Sequence, residues 1–133
     1  MRLAIIVLGL GLASPALAIQ PQTKFAGKTP VAVSGLAERN DCYPHKLAGK
    51  VAARKFDESG IVLQSVTIED SSGERTFINI DTDVIAQASA VVRANALRGL
   101  QVVLREGARV RLGLYACGAA GRVVMLESAA SAR

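Results

Sequence analysis

Residues 61–80 read IVLQSVTIEDSSGERTFINI, and the fold is decided here. Ile61 to Glu69 is rich in β-branched residues, which suit a pleated strand. Asp70-Ser71-Ser72-Gly73 is a turn signal, because short polar side chains bond their own backbone and glycine accepts unusual φ values. Glu74 to Ile80 resumes as a strand of period two. Thr76, Ile78 and Ile80 fall on one face, with Arg75, Phe77 and Asn79 on the other.

Working upstream, Leu47 to Phe56 reads as a strand ended by the turn Asp57-Glu58-Ser59-Gly60, so three strands form a meander. Downstream the period changes. Asp81 or Asp83 can cap a helix, and Val84, Ala88, Val91, Val92, Ala96, Leu100, Val103 and Leu104 recur at helical spacing. Arg98, Gln101 and Arg105 form the opposing polar stripe, and Gly107 is a stop. Ser89 can start a second helix and Gly99 weakens the interior, so 82–106 is either one broken helix or two short ones. Then period two returns. Val110, Leu112, Leu114 and Ala116 alternate with Arg109, Arg111, Gly113 and Tyr115, giving a half-buried strand with a basic outer face. Gly118-Ala119-Ala120-Gly121 turns the chain, Arg122 to Ser128 is a fifth strand, and 129–133 is a frayed tail.

The expected fold is thus mainly β with one helical segment (α+β), in the order β-β-β-α-β-β over 47–128. That order is the one of an OB-like five-stranded barrel. An α+β sandwich of the same elements remains the alternative.

The flanks bear on compartment. Met1-Arg2, the apolar run Leu3 to Leu12, the break at Ser14-Pro15 and the small residues of Ala16-Leu17-Ala18 read as a secretory signal peptide over 1–18. The apolar run is too short to span a bilayer, so no membrane span is expected after cleavage. Residues 19–46 read as an extended leader interrupted by Pro21, Gly27 and Pro30, with a short edge strand at 31–33 and a turn at 40–44. The expected location is periplasmic or secreted. There, the pair Cys42 and Cys117 reads as a disulfide rather than a reactive thiol beside His45.

Formal net charge is +5, about +4 once Arg2 is removed, and it is uneven. Seven arginines from Arg93 onward face only Glu106 and Glu127. Arginine's fork suits carboxylate and phosphate, although such an excess also simply keeps a surface solvated.

Enzyme signatures are missing from the sequence. There is no nucleophile elbow, no phosphate loop and no zinc-protease motif, and His45 is the lone histidine. No metal site and no cofactor are expected. Asp81-x-Asp83 offers two oxygen ligands for a metal-dependent hydrolase or nuclease, but a helix cap explains them as well.

At this point the chain resembles the BOF-type bacterial periplasmic OB-fold proteins. The resemblance lies in Leu47-x-Gly49-x-Val51, Glu69-Asp70-Ser71-Ser72-Gly73, Ile78-x-Ile80-Asp81 and Gly107-Ala-Arg-Val110-Arg-Leu112. The long helical 82–106 segment and the cysteine pair depart from that family's pattern. The resemblance implies an exported barrel and, only loosely, ligand binding.

OB barrels bind across their second and third strands and the flanking loops. Mapped here, the ligand-binding candidates are Lys55, Phe56, Arg75, Phe77, Asn79, Tyr115 and Arg122. The expected function is a non-enzymatic binding module for an anionic ligand or an envelope protein. Nucleic acid is a poor candidate partner, since the chain has no tryptophan and only 4% aromatics. An envelope protein-interaction or stress role is the second possibility, with Ala86, Ala88, Ala90, Ala94 and Ala96 offering a close-packing helix face.

Overall fold

The computed structural model describes residues 19–38 and 41–132. The expected signal peptide, 1–18, and the start of the expected 40–44 turn lie outside the described residues. The elements are β1 (Gln22–Ala26), β2 (Thr29–Ser34), β3 (Tyr43–Phe56), β4 (Leu63–Glu69), β5 (Arg75–Asn79), α1 (Thr82–Ala86), α2 (Ala90–Val103), β6 (Arg109–Cys117) and β7 (Val123–Ser131).

All seven strands belong to one sheet in the order β1-β2-β7-β5-β4-β3-β6, and β6 also pairs with β7. The second pairing closes β3, β4, β5, β7 and β6 into a ring. Its antiparallel pairs follow the hydrophobic alternation, while β5 and β7 run parallel, with Asn79 opposite Met125. Following partners around the ring leads from Lys55 through Ser65, Asn79, Met125 and Tyr115 to Pro44, at the other end of β3. Such stagger accompanies strand tilt in closed sheets.

Of the expected apolar faces, Ile78, Ile80, Val110, Leu112 and Leu114, with Leu100 and Val103 of α2, are buried in one cluster together with Val51, Val66, Ile68 and Leu126. The 82–106 segment is two helices. Asp81 caps α1 by accepting from Asp83 N at 3.1 Å, and Ser89 caps α2 by accepting from Val92 N at 3.5 Å. Arg93 Nη1 donates to the carbonyls of Ala86 and Ala88 and so braces the junction. Gly107 does not end the helix. Leu104 is the C-cap, and Gly107, at φ 85°, turns the chain so that its N–H bonds Val51 O at 2.8 Å.

Three boundaries differ from expectation. First, 19–46 is not merely an extended leader. It contains the β1–β2 hairpin, and the edge strand expected at 31–33 lies inside β2. Val33 and Leu36 are fully buried, each contributing roughly 1.5–3 kcal/mol of apolar burial. Second, β3 starts at Tyr43 rather than Leu47. Its 43–50 half pairs with β6 and its 50–56 half with β4, so Pro44 sits where only one side is paired. Third, the expected frayed tail is ordered strand, because β7 continues to Ser131 with Ala129 and Ala130 held between β2 and β6.

Gly99 links these changes. A Cβ there would lie 2.6 Å from Val33 Cγ2 and 3.1 Å from Thr23 Cγ2. The glycine weakens the helix intrinsically but lets the hairpin lie against α2. Arg98 Nη2 donates to Lys28 O and Gln101 Nε2 to Ile61 O, tying the same helix to two loops.

Candidate functional site

The turn expected at 70–73 and the one at 57–60 share one design. Asp70 Oδ1 accepts from Ser72 N, Ser72 Oγ and Glu74 N, and Asp57 Oδ1 accepts from Ser59 N and Ser59 Oγ. The serine hydroxyl bond is the main cause that holds each carboxyl below its ordinary 3.8. A carboxyl whose folded pKa is depressed stabilises the fold above its unfolded value, and that contribution is lost as pH falls through the folded value. The window therefore lies below about pH 4. In an NMR titration, Asp70 should titrate below 3.8 in the parent and move up toward 3.8 in Ser72→Ala. An unchanged midpoint would refute the assignment to Ser72.

Between these turns the outer surface of β4 and β5 gathers several of the expected residues. Phe77 is 57% exposed and lies opposite Thr67. Arg75 lies opposite Glu69, and its Nη2 is 3.5 Å from Glu69 Oε1. With both partners substantially exposed, such a pair is worth about 0–1 kcal/mol, so Arg75 can exchange Glu69 for another anion cheaply. Asn79 Nδ2 donates to Val124 O at 3.4 Å across the parallel seam.

That seam supplies what local reading of the sequence missed. The strands run parallel at the single bridge between Asn79 and Met125, and Phe77 and Val123 stand two residues before it on β5 and β7. Val123 is 46% exposed, and Arg122 before it is exposed as well. The exposed side chains on the two strands that meet at this seam are Arg75 and Phe77 on β5, and Val123 with the preceding Arg122 at the start of β7. The expected strand 122–128 includes Val123, but only the non-local β5–β7 bridge joins that strand to β5.

The other candidates lie apart. Lys55 is exposed on β3, two strands from β5, and Tyr115 is half-buried on β6 beyond β7. Phe56 faces the other way. A register shift between Lys55 and Phe56 turns its ring onto the core, and the Arg54 guanidinium carbon sits 5.0 Å from the ring centroid. Asp81 caps α1 by accepting from Asp83 N, and Asp83 stands exposed in that helix's first turn. On the helices, Ala88 and Ala96 are buried, while Ala86, Ala90 and Ala94 are exposed.

The disulfide is formed between Cys42 and Cys117. It joins the start of β3 to the end of β6, and Cys117 lies opposite Val123. At the same end of the ring a cavity of about 280 Å³ is lined by Tyr43, His45, Leu47, Thr76, Leu114 and Val124. Among the described residues no helix is long and apolar enough to cross a membrane, and no group of three or more His, Cys, Asp or Glu side chains is placed to hold a metal. Nothing matches this chain among protein-family models, curated proteins or solved structures.

Proposed function

We propose that this chain is an exported, non-enzymatic binding module built on an OB-like barrel, and that it takes an anionic ligand across β5 and β7. Support for the barrel comes from the five-strand ring, with its helices inserted between the third and fourth ring strands. Support for export comes from the disulfide, a bond that persists in oxidising compartments. The observation that carries the binding reading is the exposure of Phe77 and Arg75 on β5 and of Val123 and Arg122 at the start of β7, two strands that meet at Asn79 and Met125. Exposed apolar side chains and arginines on adjoining strands suit a ligand having a flat or apolar part and a negative group.

A photo-crosslinking residue at position 77, in cells that produce the protein, tests this. An adduct should form there and not at Val91, an exposed control site on α2. Arg75→Ala and Arg122→Ala should each cut the adduct yield severalfold and make it less sensitive to salt. Equal yields at 77 and 91, or indifference to both arginine changes, would sink the assignment. An envelope protein as the crosslinked species would make the ligand a protein rather than a small anion.

A further inference from the structure

A second surface lies on a different arc of the ring, formed by β3, β6 and the end of β7. We propose that it is a docking groove for a linear polyanion bearing phosphate groups, read by charge alone. Its walls are cationic: Lys46 and Lys50 on β3, Arg109 and Arg111 on β6, all exposed. Its floor is made by small residues, chiefly Ala48, Gly113 and Ala130. Two adjoining depressions of about 480 and 520 Å³ share Ala48 and run together along β3. From Lys46 to Lys50 the strand advances roughly 13 Å.

Three observations separate this groove from a merely solvated face. Lys50 lies directly opposite Arg109 of β6, a like-charge pairing across strands, with Glu69 of β4 opposite it on the other side. Among the described residues none of the four cations has a carboxylate within 4.0 Å. The acids that border the groove have other partners. Glu69 makes a weak 3.5 Å pair with Arg75, Asp70 serves its own turn, and Glu127 Oε2 accepts from Gly35 N at 3.3 Å. Among the described residues the four positive charges carry no ion pair.

The shape selects a chain-like partner. A membrane plane is met best by a convex surface, whereas here the centre is sunk between two cationic rows. No aromatic side chain lines either depression, so bases would find no stacking platform and recognition rests on the charges.

Binding of the purified protein to long-chain inorganic polyphosphate, measured over a series of salt concentrations, tests the proposal. Two double variants, Lys46→Ala with Lys50→Ala and Arg109→Ala with Arg111→Ala, should each weaken binding about tenfold or more at low salt. Each should also reduce the slope of log affinity against log salt by about two, one for each cation removed. The exposed control Lys24→Ala should leave both unchanged. Melting temperatures of the double variants should equal or exceed the parent's, because a like-charge contact is relieved. Undiminished binding in both double variants overturns the proposal. So does competition by orthophosphate at equal phosphate concentration, which would mean a single-ion site. Cation-dependent binding to anionic phospholipid vesicles without binding to polyphosphate also overturns it, in favour of a lipid surface. Crosslinking from position 77 is independent of these variants, so either surface can fail alone.

Discussion

Gly49→Ala should lower stability by about 2–3 kcal/mol, and Gly49→Val by more. A Cβ on Gly49 would meet Glu69 O at 2.5 Å and Ile68 Cγ2 at 2.8 Å. One of these is backbone and the other is a fully buried β-branched side chain, so neither can swing aside. The strands β3 and β4 would have to separate where Lys50 pairs with Glu69 and Val51 with Ile68. A strand glycine normally costs roughly 0.5–1 kcal/mol relative to alanine, so propensity alone predicts the opposite sign. The steric term is the larger, and it decides the outcome. Urea unfolding should give a lower midpoint with an unchanged slope. A Gly49→Ala protein as stable as the parent would show that the strands do not need this close approach.

Removing the disulfide, by Cys42→Ser with Cys117→Ser, should cost about 2–5 kcal/mol. The bridge closes a sequence separation of 75 residues, for which chain entropy alone gives roughly 4–5 kcal/mol. For a domain of this size that corresponds to a fall in Tm of roughly 10–20 °C. Calorimetry of the oxidised parent, the reduced parent and the double variant provides the check. Reduced parent and double variant should melt together, well below the oxidised protein. A double variant within about 1 kcal/mol of the oxidised parent would mean that strand pairing along 43–50 already holds the two ends without the bridge.

What was legible in the sequence is what local patterns dictate. The faces of β5 follow strict alternation, so Ile78 inside and Phe77 outside could be read directly. The turns at 57–60 and 70–73, and the caps Asp81 and Ser89, rest on side chains that bond backbone two or three residues away. What was not legible depends on distant partners. The β1–β2 hairpin is broken up by Gly27 and Pro30, and it is held by residues such as Ala129, far along the chain. Phe56 packs on the core because an irregularity of a single residue between Lys55 and Phe56 inverts the alternation, and nothing in the sequence marks it. Val91 sits on the apolar stripe of α2 yet is 72% exposed, because it lies in the first turn, before the helix reaches the hairpin. The candidate site was half legible. Arg75, Phe77 and Arg122 are exposed, and the parallel bridge that joins their strands could not be read from local pattern.

β1 is the outermost strand of the sheet, paired on one side only, with β2. An uncovered edge is a template onto which another copy can add a strand, and so a seed for fibrous association. Here that risk is restrained by ordinary means. β1 is short, carries an exposed Lys24 and has a register irregularity between Lys24 and Phe25. Its neighbour β2 holds Pro30 close to the hairpin turn. The hairpin that completes the core thus also guards the molecule against self-association, and changes that flatten or neutralise it should be felt first as loss of solubility rather than loss of fold.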